Sequence, residues 1–444
     1  RVRSPLSTMA ARWLCWALLL LLPAPLRAAG PGPVLLNRPF VTVWNIPSEP
    51  CAQQYNISLD LRVFDVVANA GEAFTGQNIT LFYGSRLGLF PYYTAQGQPV
   101  NGGLPQNASL AAHLQRARRD ITAALPGATY DGLAVADWEQ WRPLWDRDWG
   151  SMDIYREKSE QLVQQQHPLW PSSRVEEVAQ QQYQKAARAF MERTLQLGEA
   201  MRPGGYWGFY GFPDCYNNNF SNPLYNGSCP AVEQQRNREL GWLWNCSRAL
   251  YPSIYVPQQL QGTDKVLLYV RYRVAEAFAV QKGVLSTAVP VLPYTEIIYD
   301  KTSDFLSEDD LVNTIGESAA QGAAGIIIWG SSNDTSSKEK CLKLRDYLDV
   351  SLGRYIVNVT TSAQLCSQSL CSGNGRCVRR EGKLAFLQLD PSRFAINPKA
   401  TKPQATVQSL TANGDASQLA ENFSCQCYSG WQGERCDSGA PPHK

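Results

Sequence analysis

Short apolar runs alternate with longer stretches whose apolar residues recur every three to four positions, from residue 41 to residue 352. The runs Val41–Asn45, Leu61–Val67 and Ile79–Tyr83 are rich in β-branched and aromatic residues and read as strands. So do the segment opening at Gly132, the aromatic run Tyr206–Asp214, and Ser253–Val256, Val289–Ile298 and Gly325–Gly330. Between them the helical period predicts helices over about 109–124, where Leu110, Leu114, Ala117, Ile121 and Leu125 share a face, and over about 152–165. A third helix is expected from Ser173, with Glu176 completing a capping box and Val175, Val178, Ala186 and Phe190 on one side, until Pro203-Gly204 stops it. Further helices fit 270–281, 308–321 and 338–352.

Strands alternating with helices, several of them continuously apolar, predict an α/β fold with a parallel sheet covered by helices. Asp137, Glu139, Tyr210, Tyr255, Asp300 and Trp329 all fall at or just past the C-terminal end of a predicted strand. A (β/α) TIM-like barrel assembles its active site there. A doubly wound sheet is disfavoured, because no Gly-rich phosphate loop follows an early strand.

The stretch Gly132-Leu-Ala-Val-Ala-Asp137-Trp138-Glu139-Gln-Trp141-Arg142-Pro143 concentrates the chemistry. Residues two apart on a strand share a face, so Asp137 and Glu139 project together, roughly 7 Å apart along the backbone. Two confined carboxyls rarely ionise together; one is pushed up and stays protonated as an acid. The alternative readings are a solvated strand end or half of a metal site. Trp138, Trp141 and Trp145 crowd the same loop, as aromatics that meet sugar rings or as core.

With 444 residues and 44% apolar positions the chain supports one large domain or two ordinary ones, and a net charge of +2 argues against a nucleic-acid binder. Arg116 to Arg119 reads as the wet side of a helix. Residues 1–29 read as leader and signal peptide: Met9, Arg12, an apolar core from Leu14 to Leu22, then Ala28-Ala29-Gly30. No later run is apolar enough to span a bilayer and the tail lacks a lipid-anchor signal, so a secreted or lysosomal product without membrane anchor is expected. Nine sequons, at Asn56, Asn78, Asn107, Asn219, Asn226, Asn245, Asn333, Asn358 and Asn422, fit that route. Of twelve cysteines Cys15 falls in the signal, which leaves an odd number. Cys246 is the candidate without an intramolecular partner: buried, free or an intermolecular link.

The three histidines, His113, His167 and His443, form no zinc motif, and no metal or cofactor is expected. Gly316-Glu-Ser-Ala-Ala320 resembles a nucleophile elbow, but its last residue is Ala and it falls within a helical pattern. Acid/base work by carboxylates is what the inventory leaves.

Near the C-terminus, Cys366, Cys371, Cys377, Cys425, Cys427 and Cys436, with Gly430-Trp431 and Gly433, resemble the pattern of an EGF-like module. The 47 residues between Cys377 and Cys425 are an unusually long insertion. Six cysteines permit fifteen connectivities; the resemblance implies Cys366 to Cys377, Cys371 to Cys425 and Cys427 to Cys436. The domain reading is therefore a catalytic unit over 30–360 and a module over 361–444 with a short tail.

The stretch Gly132 to Pro143, Asn101-Gly-Gly-Leu-Pro-Gln106, Trp207-Gly-Phe-Tyr-Gly-Phe-Pro-Asp-Cys-Tyr-Asn217, Ala249-Leu-Tyr-Pro-Ser-Ile-Tyr255 and Gly316 to Trp329 together resemble the hyaluronidases, glycoside hydrolase family 56. Within them the acid-active lysosomal and plasma branch, type 1, is the most similar. The resemblance implies a distorted barrel of about seven repeats. It implies cleavage of the β-1,4 bond after N-acetylglucosamine in hyaluronan, and of chondroitin more slowly. Glu139 would be the proton donor and Asp137 its partner; Tyr210, Tyr255 and Trp329 would surround the acetamido group. Tyr83, Arg142, Asp214, Arg273 and Asp300 would line the cleft, with a structural ion-pair role as the second reading of Arg142 and Arg273. Cys51 to Cys341 and Cys215 to Cys229 would be the remaining disulfides, and the EGF-like module a contact for a protein partner. A catalytically silent glycan-binding relative is the competing reading, and a chitinase-like hydrolase lacks the surrounding motifs.

Two carboxylates on one strand face cannot flank a glycosidic bond as a retaining acid/nucleophile pair does. The expected mechanism is therefore retaining and substrate-assisted: the acetamido oxygen attacks, Glu139 protonates the leaving oxygen, and Asp137 steadies the oxazolinium ring.

Overall fold

The computed structural model describes residues 30–282, 284–285, 288–397, 405–409 and 416–439. The leader and signal segment, Cys15, and His443 lie outside the described residues.

Seven short parallel strands carry the fold: β1 (Val41–Asn45), β2 (Val66–Val67), β3 (Ile79–Tyr83), β4 (Leu133–Asp137), β5 (Tyr206–Phe209), β6 (Tyr294–Thr295) and β7 (Gly325–Trp329). They form two parallel sheets, one of order β3-β4-β5 and one of order β2-β1-β7-β6. Isolated bridges continue the first sheet into the second: Tyr210 with Tyr251, Leu250 with Val291, and Ser253 with Tyr294. Between β2 and β3 a side chain takes over from the ladder. Asn69 accepts the N–H groups of Asn78 and Ile79 at 3.1 and 3.2 Å, and its amide donates to the Ile79 carbonyl at 2.8 Å.

Both faces of these strands are buried, which is why they read as unbroken apolar runs. Val41, Val43, Ile79, Leu81, Leu133, Val135, Tyr251, Leu292, Tyr294 and Ile327 pack into one inner cluster. The alternate positions, Phe82, Ala134, Ala136, Trp207 and Phe209 on one side and Trp44, Ile326 and Ile328 on the other, pack outward under the helices.

The helices Leu110–Ala124, Asp153–Gln166, Ser172–Met201 and Lys265–Ala279 cover that outer layer. Several expectations change. The run Leu61–Val67 is not one strand: Leu61–Phe64 is a 3-10 turn, and Asp65 at φ 63° breaks it before β2. Phe64 is needed there as a packing knob, since a Cβ on Gly353 would meet its ring at 2.3 Å. The helix expected from Ser173 starts at Ser172 behind Pro171 and has no side-chain cap, because the N-cap residue is proline, whose ring carries no acceptor. Ser253–Val256 forms a single isolated bridge, Ser253 with Tyr294, with Pro252 and Pro257 on either side.

The last helical pattern does not stop at Leu352. Lys338–Tyr347, a π-helical turn Leu348–Leu352 and Gly353–Leu370 run without a break, across residue 360 and into the cysteine-rich part. There Gly375–Arg379 pairs antiparallel with Phe423–Cys427, and Phe394–Asn397 with Thr406–Ser409. Among the described residues five disulfides form, Cys51–Cys341, Cys215–Cys229, Cys366–Cys377, Cys371–Cys425 and Cys427–Cys436. Cys246 is free and half-buried, with burial pushing its thiol up to about 12. Among the described residues no helix is long and apolar enough to cross a membrane.

Candidate active site

The C-terminal residues of β3, β4 and β7, and the residue after β5, meet at one end of the strands. Tyr83 and Asp137 are paired in register, and Trp329 is paired with Asn45. Tyr83, Asp137, Tyr210 and Trp329 continue the inward-facing positions by the period of two, so each projects over the inner cluster. The Trp329 indole N–H donates to the Tyr83 hydroxyl at 3.3 Å and ties the two sheets together.

Tyr210 is placed by backbone pairing, its N–H donating to the Ala136 carbonyl at 2.9 Å, so it stands beside Asp137. Its hydroxyl donates to Ser253 Oγ at 3.3 Å, and its ring lies 5.9 Å from Tyr255. Tyr255 stacks on Trp329 at 5.9 Å and 19°. The result is an aromatic wall of Tyr210, Tyr255 and Trp329, all half-buried, facing the carboxylates.

The carboxylates differ. Glu139 is exposed, two residues beyond the end of β4, while Asp137 is half-buried and its Oδ1 has no hydrogen-bond partner. Burial first, and the charge of Glu139 second, push Asp137 up to about 7 against the pull of Arg142. The same causes keep Tyr210 protonated well above neutral pH: burial, then Glu139.

Trp138, Trp141 and Trp145 are almost fully buried and pack with Phe90, Tyr183 and Phe209; they are core that holds the loop, not sugar platforms. The loop is fixed by buried Asp148, whose Oδ1 accepts the Arg142 N–H at 2.7 Å. Burial pushes Asp148 up to about 7.

Arg142 is half-buried and its Nη1 reaches the Glu139 and Trp141 carbonyls only at 3.3 and 3.5 Å, so its fork keeps donors to offer. Arg273 is the opposite case. It is buried and donates to Asn217 at 3.0 Å, to the Ser253 carbonyl at 3.0 Å and to Asn218 at 3.1 Å, with Asp214 at 3.4 Å. It buttresses the segments that carry Tyr255 and Asp214. Asp300 stands further along, half-buried, bridged to Pro257 and 3.9 Å from Lys301.

Several neighbours carry no sequence signal of their own. Ser253 meets Tyr210. Tyr294 packs edge-on to Tyr210 at 5.1 Å. Asn45 is buried with both amide atoms unpartnered. Glu296 is pushed up to about 8 by burial and then by Asp300 and Asp334. Glu296 sits just past β6, and placing it there requires the short two-residue strand that the long run Val289–Ile298 concealed.

His113 is buried against Thr194 at 2.8 Å and burial lowers it to about 4, so it is a neutral core residue. Among the described residues no group of three or more His, Cys, Asp or Glu side chains could hold a metal ion. Six sequon asparagines, Asn56, Asn107, Asn219, Asn226, Asn245 and Asn333, are exposed. Asn78 and Asn358 are half-buried and hydrogen-bonded to the Ala68 carbonyl and the Leu389 N–H. Asn422 is half-buried.

Comparison with known proteins adds an independent line. The family model for hyaluronidase, glycoside hydrolase family 56, matches residues 29–440. Hyaluronidase-1 of Homo sapiens is 53% identical over 407 residues, 91% of this chain and 94% of that protein. A hyaluronidase of Crotalus adamanteus is 44% identical over 412 residues, 91% and 92% of the two chains. Among solved structures, bee venom hyaluronidase superposes with a TM-score of 0.66 at 33% identity, covering 72% of this chain and 99% of that one. The bee enzyme in complex with a hyaluronic acid tetramer gives a TM-score of 0.65 at 33% identity, covering 71% and 97%.

Proposed function

This chain belongs to the hyaluronidase family of glycoside hydrolases, and we propose that it cuts hyaluronan at the β-1,4 bond after N-acetylglucosamine by a retaining, substrate-assisted route. The observation that carries the mechanism is the origin of both carboxyls in one strand end. Asp137 closes β4 and Glu139 follows two residues later, so they stand on one wall of the cleft and face an aromatic wall. A carboxylate nucleophile would have to approach the anomeric carbon from the side opposite the acid, with about 5 Å between the two groups. The acetamido carbonyl of the substrate fills that role from within the sugar.

In this reading the acetamido oxygen attacks the anomeric carbon, the bond to the glycosidic oxygen breaks, and Glu139 delivers its proton to that oxygen. The positive oxazolinium ring forms against Asp137, while the Tyr210 hydroxyl, protonated at every working pH, orients the acetamido group between Tyr255 and Trp329. Water then opens the ring with Glu139 as base, which restores the starting protonation. Arg142 offers a fork to a glucuronate carboxylate. Chondroitin, which differs in the hexosamine, is cut more slowly.

The seven parallel strands, their bridged continuation and the shared inner cluster support a distorted closed barrel of about seven repeats. The three cysteine pairs after residue 361 support an EGF-like module set behind a catalytic unit over 30–360. Five disulfides and exposed sequons fit passage through the secretory pathway to the lysosome or the cell exterior.

The test is reducing-end release from hyaluronan. Glu139→Gln is expected to lower it by about 10³-fold with the fold intact by circular dichroism, and de-N-acetylated polymer is expected to resist the unaltered enzyme. A fully active Glu139→Gln protein, or equal cutting of the de-N-acetylated polymer, would falsify this account. Glu296→Gln separates the mechanism from an ordinary two-carboxylate one: it is expected to keep most of the activity.

A further inference from the structure

An exposed aromatic cluster continues the cleft beyond Arg142. Trp149 is 41% exposed, the only tryptophan besides Trp431 among the exposed large apolar residues described. Isolated surface aromatics are common and need no explanation. This one is built in. Its ring meets Tyr216 edge-on, centroids 4.9 Å apart at 68°. Tyr216 has φ +44°, a left-handed backbone that a bulky side chain rarely adopts and that persists only where the surroundings enforce it. Here Asp214 Oδ1 accepts the N–H groups of Cys215 at 2.7 Å and Tyr216 at 3.1 Å, and the Cys215–Cys229 disulfide anchors the next residue back.

That enforced conformation brings Tyr216 to two arginines. The Arg147 guanidinium lies 5.4 Å from its ring and is committed to buried Glu233 at 2.8 Å. Arg142 lies beside Tyr216, its guanidinium 5.6 Å from the ring of Phe212 four residues earlier. On the far side Arg236 lies 5.6 Å from the Trp149 ring and is paired with Glu233 at 2.6 Å and Asp146 at 3.8 Å. Glu139, Arg142, Tyr216 and Trp149 therefore form one contiguous line leading away from the proton donor, and Arg142 is the arginine on it with no carboxylate partner among the ion pairs described.

We propose that Trp149 and Tyr216 form an outer subsite that takes a sugar ring of an acidic polysaccharide beyond the cleaved bond, Trp149 covering its apolar face while Arg142 pairs with a neighbouring carboxylate. The polymer suits such a site because apolar ring faces alternate along it with carboxylates. A subsite at this place makes binding depend on chain length. The inference rests on the reading of Glu139 and Asp137 as the cleaving pair, so its test is made as binding by the uncleaving Glu139→Gln protein.

Calorimetric titration of Glu139→Gln with hyaluronan tetrasaccharide and octasaccharide gives an affinity ratio. Adding Trp149→Ala is expected to reduce the octasaccharide-to-tetrasaccharide ratio by about tenfold, and Trp149→Phe, which keeps an aromatic face, to restore most of it. A ratio that does not move, or two affinities that fall together, overturns the subsite. Continued cleavage by Glu139→Gln would instead overturn the placement of the acid, a result visible in the same samples as shortened product.

Discussion

Asp137 and Glu139 are two residues apart, yet one lies against the inner cluster and the other in water. Burial, and then the charge of Glu139, hold a proton on Asp137 up to about pH 7. In the proposed reaction Asp137 steadies the oxazolinium ring, so kcat/KM is expected to change across about pH 7 as this group ionises. Asp137→Asn removes the like charge beside Glu139. Without the ionisation of Asp137 the step near pH 7 is expected to disappear from the profile, alongside a fall in kcat of about 10²-fold, read from a pH series of kcat/KM. Stability follows the same group. Asp137 is raised above its ordinary 3.8, so the folded state holds a proton that the unfolded chain releases. Its contribution is fully present below pH 4 and is lost as pH rises to about 7. The urea midpoint is expected to drop between pH 5 and pH 8, and less so in Asp137→Asn.

At the scale of elements, side-chain period was readable and length was not. β1, β3, β4 and β7 lie where the alternation put them, because burial on both faces leaves no other pattern for a run that short. Val289–Ile298 shrank to Tyr294–Thr295, since Pro290 and Pro293 withhold the donors a ladder needs. The two helices Ala231–Glu239 and Gly241–Cys246 were missed, the first being strongly polar and the second short. Close strand approach gives a test at this scale. A Cβ on Gly208 would stand 2.4 Å from the Ala249 carbonyl oxygen and 2.9 Å from the Tyr251 ring. Gly208→Ala is expected to destabilise by about 1–3 kcal/mol in urea unfolding. It should also lower kcat, because Tyr210 is carried two residues downstream, just past the end of the same strand.

For the whole molecule the question is what binds the cysteine-rich part to the rest. Glu317 is fully buried and accepts Arg271 at 2.9 Å from one helix and Arg379 at 2.6 Å from the strand Gly375–Arg379. Arg376 is buried too, donating to the Pro39 carbonyl at 2.6 Å just before β1. With the uninterrupted helix 338–370, these contacts weld that part onto the body. Glu317→Gln leaves two guanidinium groups under-paired and is expected to cost about 3–5 kcal/mol, measured by urea unfolding. One cooperative transition in that variant would show a single unit, and an early loss confined to the cysteine-rich part would overturn the welding.

The residues themselves determined the fold class, the strand that bears the carboxylates and the family, because apolar period, cysteine spacing and a dense run such as Asp137-Trp138-Glu139-Gln140-Trp141-Arg142-Pro143 are local properties of the chain. Tertiary structure decided the environments. It assigned the tryptophans of that run to the core and spent Arg273 on Asn217, Ser253 and Asp214. It also pushed up Asp137 and brought Tyr216 against Trp149. Each of these depends on which distant segments exclude water from a side chain or offer it a partner, and separation along the sequence carries no record of that.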